Sequence, residues 1–144
     1  MVRKISLEAI TALLVALFVY SAVSKMLDLG TFSEQMHNQP LPRWLTDSLV
    51  WTVPFVELAI SGLLIIRTFR LYGLLFAFVL LSMFTVYVGL VYFHSFDRVP
   101  CSCGGVFRAM SWGSHLIFNI AFTLFALTGL YLARLKFLEF KRVQ

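Results

Sequence analysis

LYGLLFAFVLLSMFTVYVGLVYF, residues 71–93, carries no charged side chain. An α-helix of about 20 mostly apolar residues spans the hydrocarbon core of a bilayer. The stretch is too long for a strand, and the chain lacks the alternating ten-residue segments of a membrane barrel. It reads as a transmembrane helix. Working toward the N-terminus, Arg67-Thr68-Phe69-Arg70 is a very short polar break. Before it, residues 48–66 form a second apolar run in which Glu57 is the only charge. Two helices joined by so short a link must be antiparallel neighbours. Two further runs qualify by the same measure, at about 5–26 and 114–133.

Composition agrees. The 144 residues are 60% hydrophobic and 13% charged, whereas a soluble domain is about half apolar and a quarter charged. The fold class predicted is all-α, an integral membrane four-transmembrane-helix bundle in contact with the lipid bilayer, as one domain over residues 1–144. Met1-Val2-Arg3-Lys4 opens like a secretory signal, but the apolar stretch continues to Ser24. That exceeds a signal core of about 7–15 residues, so an uncleaved first helix is expected.

The net charge of +5 is a topological signal. Lys and Arg collect in the cytoplasmic loops of membrane proteins. With the N-terminus inside, Arg3, Lys4, Arg67, Arg70, Arg134, Lys136, Lys141 and Arg142 are cytoplasmic, eight in all, against Lys25, Arg43, Arg98 and Arg108 outside, which are four. Both termini are then cytoplasmic, and loops 27–47 and 94–113 face outward. In a bacterium these loops lie on the periplasmic side of the inner membrane. The sequence has no basic-aromatic recognition pattern, zinc-finger spacing or phosphate-cradling glycine loop, so nucleic-acid binding is not expected.

The first outer loop has local order signals. Asp28-Leu29-Gly30 reads as a helix stop, Thr31 as the cap of a short helix through Gln35, and Pro40-Leu41-Pro42 as a stiff turn. Tyr20, Trp44, Trp51 and Trp112 fall near the outer boundary, where amphipathic rings prefer to lie.

The second outer loop holds both cysteines, in Val99-Pro100-Cys101-Ser102-Cys103-Gly104-Gly105. Three readings of Cys101 and Cys103 stand. A disulfide across one intervening residue is strained, and strained exposed disulfides are labile and oxidising. The pair could instead bind a soft metal such as copper or mercury with His94, His115 and Met110. A structural staple over so short a loop removes little chain entropy.

Five other residues are out of keeping with an apolar helix or its boundary. Glu57 lies mid-helix, where a carboxylate costs about 2.5–3.5 kcal/mol on insertion scales. It can exchange protons with a redox centre, or join helices through Asn119, Ser82 or Thr85. Asn119 reads as interhelical glue, and His115, one turn earlier, shares its face. His115 and His94 are interfacial residues, a proton relay or metal ligands. Lys25 either snorkels to headgroups or lowers the pKa of a nearby thiol.

Together these stretches resemble the MauE/DoxX-like family of small four-helix redox-associated membrane proteins, and its MauE branch most closely. The resemblance rests on Ser24-Lys25-Met26-Leu27-Asp28, on Val53-Pro54-Phe55-Val56-Glu57-Leu58 with Gly62, on Cys101-Ser102-Cys103-Gly104-Gly105, and on Met110-Ser111-Trp112 followed by Asn119. The cysteine turn departs from the family's Cys-x-Cys-Phe-Gly at Gly104. The resemblance implies disulfide formation or transfer outside the cytoplasm with a periplasmic thioredoxin-like partner, as in maturing a disulfide-rich dehydrogenase subunit. It makes Cys101, Cys103, Glu57, Lys25 and Asn119 the catalytic candidates. The group is also similar to quinone-linked bundles of the vitamin K epoxide reductase type. Those usually carry a second, relay cysteine pair, which is absent here. Electrons would then pass directly between Cys101/Cys103 and an outside protein, with a quinone as electron sink beside Glu57, Asn119, His115 and Trp112. The rival classes are a soft-metal binding or transport protein using Cys101, Cys103, His94 and His115, and a non-catalytic membrane anchor for a partner.

Overall fold

The computed structural model describes residues 2–93 and 111–142. The described residues form α1 (Val2–Leu27), α2 (Leu29–His37), α3 (Arg43–Ile65), α4 (Arg70–Tyr92) and α5 (Trp112–Arg142), with no strand among them. The helices α1, α3, α4 and, over Trp112–Leu135, α5 are long and apolar enough to cross a membrane. These are the four spans expected from the sequence. Large apolar side chains face outward along them, among them Leu13, Phe55, Phe76, Val86, Ile117 and Leu124. An outer surface of this kind is stable against lipid tails, and helices satisfy their own backbone groups there. The chain is an integral membrane protein.

Three boundaries differ from the sequence reading. The cap of α2 is Asp28, whose carboxylate accepts from the Thr31 amide at 3.2 Å. A carboxylate fits that role well, so the helix starts before Gly30 and runs past Gln35 to His37. Pro42 precedes the first turn of α3, with φ −59°, so α3 begins at Arg43 and the expected loop 27–47 is mostly helical. No glycine or proline follows Arg134 through Arg142 to stop α5, which extends well beyond residue 133.

The four spans close into a ring. Helix α1 packs on α3 and α5, and α4 packs on the same two from the other side. The two ends of this ring differ. Where α3 turns into α4, a Cβ built on Gly73 would lie 2.8 Å from the Leu64 amide nitrogen, so the two backbones nearly touch. A Cβ on Gly129 of α5 would lie 3.0 Å from side-chain atoms of both Ile10 and Leu74. Leu7, Leu14, Ile60, Leu64, Leu74, Ala77 and Ala126 fill the space between. Arg70 Nη1 donates to Glu8 Oε1 at 2.9 Å and Arg70 Nε to the Leu64 carbonyl at 3.3 Å, tying α4 to α1 and α3 at that end.

At the other end α2 lies against α3 through Phe32, Met36 and Val50. The bend after α2 is held from within the bundle. Gln39, 5% exposed, donates to the Gln35 carbonyl at 2.8 Å and accepts from the Tyr87 hydroxyl of α4. Here the spans stand apart, and the polar residues of the helices gather.

Candidate functional site in the membrane bundle

Ser21 and Lys25 are one turn apart on α1, so both face the same neighbour, α3. Lys25 Nζ donates to Glu57 Oε1 at 2.6 Å and to Ser21 Oγ at 2.7 Å, and Ser21 Oγ donates to the same Glu57 oxygen at 3.0 Å. Glu57 is 2% exposed and the Lys25 side chain 11%. The Lys25 ammonium also lies 5.8 Å from the centre of the Phe32 ring. Two charges withdrawn from water need each other, and a lone one in this place would be strongly unfavourable.

Above the Phe18 and Leu81 side chains a cavity of about 290 Å³ opens, with walls from all five helices. Most of its surface is apolar and aromatic. Its polar side chains are Ser21, Ser24, Lys25, Gln39, Glu57, Tyr87, His115 and Asn119, with Trp112 beside them. The Trp112 and His115 rings stack 6.3 Å apart at 25°. Among the described residues, two buried polar atoms in this lining, Glu57 Oε2 and Asn119 Nδ2, have no hydrogen-bond partner. One can accept a bond and the other can donate one.

A profile of the family described as Methylamine utilisation protein MauE matches residues 3–132. The chain belongs to the MauE family. The matched region includes every residue of the cavity. Comparison with curated proteins and with solved structures found no match.

Of the residues singled out in this MauE-family sequence, Lys25, Glu57, Trp112, His115 and Asn119 line one cavity. Two of the alternatives raised for them are corrected. Glu57 is not joined to Asn119, Ser82 or Thr85. Its partners come from α1, because a buried carboxylate is better neutralised by an ammonium than by a neutral hydroxyl. Ser82 returns its hydroxyl to the Phe78 carbonyl at 2.7 Å, and Thr85 bonds the Leu81 carbonyl at 2.7 Å and Thr123 of α5 at 2.9 Å. Lys25 does not snorkel to headgroups, since its side chain turns inward to Glu57.

Cys101, Cys103, His94 and Met110 lie outside the described residues. Among the described residues, no three His, Cys, Asp or Glu side chains come together as a metal site. Sequence reading missed Ser21, Gln39 and Tyr87. Ser21 had a local signal, one turn from Lys25. Gln39 and Tyr87 had none, since they meet only when the bend after α2 folds over α4.

Proposed function

We propose that this membrane protein is a thiol-disulfide redox protein. Cys101 and Cys103 form or transfer disulfides with a periplasmic, thioredoxin-like partner. The bundle acts as a single domain in a bacterial inner membrane, both termini cytoplasmic, as the distribution of Lys and Arg supports. The observation that carries the reading is positional. The segment bearing both cysteines leaves α4 after Phe93 and rejoins at Ser111 before α5. Both anchors are at the end of the bundle where Lys25, Glu57, His115 and Asn119 converge.

The exchange is balanced without a further reagent. A partner thiolate attacks one sulfur of the Cys101–Cys103 disulfide, giving a mixed disulfide and one free thiolate. The partner's second thiolate then displaces the other sulfur. Two electrons and two protons pass from the partner to the cysteine pair, and the partner gains the disulfide. Lys25 or His115 supports the thiolate, and Glu57 with Asn119 handles the protons. The family's description supports a place alongside methylamine utilisation, where a membrane dithiol serves the maturation of a disulfide-containing protein.

The test is trapping. With Cys101→Ser or Cys103→Ser, one variant is expected to accumulate a reductant-sensitive mixed disulfide with an extracytoplasmic protein in intact cells. Absence of any such adduct from both variants, with the protein present in the membrane, would remove the basis for the reading.

A further inference from the structure

We infer that α2 is a lid over the cavity, latched shut by His37 and Asp47, whose lifting admits water and small polar solutes to the buried Lys25–Glu57 pair. Such a gate goes beyond the thiol-disulfide exchange and does not depend on it.

The packing of α2 is separate from that of the spans. Its nine residues bury Phe32, Gln35 and Met36. Phe32 and Met36 pack with Val50 in a small cluster of their own, with Leu29 and Leu49 at its edge. That cluster shares no residue with the one that joins α1, α3, α4 and α5. Among the described helices, α2 packs on α3 and only lightly on α1. A unit with few buried apolar contacts of its own opens locally at less cost than the whole fold. The backbone also breaks at both ends of α2. Asp28 has non-helical φ −129° and ψ 59°, so α2 does not continue α1. Beyond His37 the chain bends through Pro40-Leu41-Pro42. The short helix can therefore tilt away while the Leu and Ala core stays packed.

What α2 covers gives the movement a consequence. Phe32 and Met36, with Gln39 and Leu41 just after the helix, form one wall of the cavity. The Phe32 ring lies 5.8 Å from Lys25 Nζ, so α2 shields the ammonium directly. Two bonds hold this wall down. On the outer side His37 Nε2 meets Asp47 Oδ1 of α3 at 2.6 Å. Against an ionised carboxylate the ring nitrogen is the donor. The two side chains are 32% and 60% exposed, so water competes for both, and such a pair closes and opens readily. On the inner side the Tyr87 hydroxyl of α4 donates to Gln39. Lifting the wall brings the aqueous phase to Lys25 and to Glu57. Glu57 Oε2 and Asn119 Nδ2, unpartnered among the described residues, then gain water as a partner. Buried polar groups are normally satisfied, and that gain offsets part of the cost of opening.

The experiment uses the full chain in lipid nanodiscs, where both faces meet water. Cys101→Ser and Cys103→Ser remove the native thiols, and Val53→Cys places a reporter in the cavity wall. A charged, membrane-impermeant methanethiosulfonate reads access to that thiol, and amide hydrogen exchange reads the helices. Slow, measurable modification is expected with the latch intact. Asp47→Ala should speed it about threefold, since an exposed pair is worth little. Tyr87→Phe should speed it about tenfold, since its bond is shielded from water. Exchange over residues 29–39 should rise in the same variants, with α1, α4 and α5 unchanged. Modification at one rate in all three proteins would overturn the lid. Faster modification without faster exchange over residues 29–39 would place the entry elsewhere and overturn it as well. Faster exchange throughout the helices would make the two bonds supports of the bundle and not a latch.

Discussion

Glu57 is buried and Lys25 largely so, and each is held by the other at 2.6 Å. Removing one leaves the other as an isolated charge in an apolar bundle, at a cost of about 3–5 kcal/mol, whereas replacing both by apolar residues of similar size is often near neutral. Lys25→Met and Glu57→Leu should therefore each lower the unfolding temperature in detergent sharply, and the double variant should recover most of the loss. Equal, additive losses in a thermal melt would show that the pair does not act as a unit. Both residues were visible in the sequence, because a charge inside or at the end of an apolar run is conspicuous. Their pairing was not. They are separated by 32 positions, and only the register of α1 against α3 brings them together. Asn119 and His115 were likewise recognisable one at a time, while their shared cavity depends on how all five helices pack.

At the scale of the element, the spans were legible because a bilayer imposes length and apolarity on each one separately. Their ends were less so, since capping depends on individual side chains. Asp28→Ala should cost about 0.5–2 kcal/mol by removing the cap of α2, and faster amide hydrogen exchange over residues 29–37 would report it. Gly73 makes the tightest approach among the described glycines. The atom that a Cβ would meet is the backbone nitrogen of Leu64, which cannot swing aside as a side chain can. Gly73→Ala should destabilise by about 1–3 kcal/mol through overpacking, seen as a lower melting temperature. An unchanged melt would mean that α3 and α4 separate at little cost. The sequence showed these helices to be neighbours from their short link, but not that a glycine lets them touch.

Among the described residues, the bundle is packed at one end and hollow at the other. Leucine and alanine fill the end at the α3–α4 turn, and a polar-lined cavity occupies the end covered by α2. This asymmetry was beyond the sequence, where every span reads as apolar throughout. The charge bias predicts that the hollow end faces the periplasm. In a background without other cysteines, a single cysteine at Thr68 should react with a membrane-impermeant maleimide only after the cells are opened, and one at Asn38 should react in intact cells. The opposite pattern would invert the bundle. The most direct measurement for the account as a whole is the thiol state of Cys101 and Cys103 in intact membranes, by acid trapping and maleimide mass-tagging with and without a mild reductant. The account predicts a disulfide that the reductant opens and that re-forms on its removal. Two thiols that remain free throughout, or a disulfide that the reductant leaves intact, would contradict it.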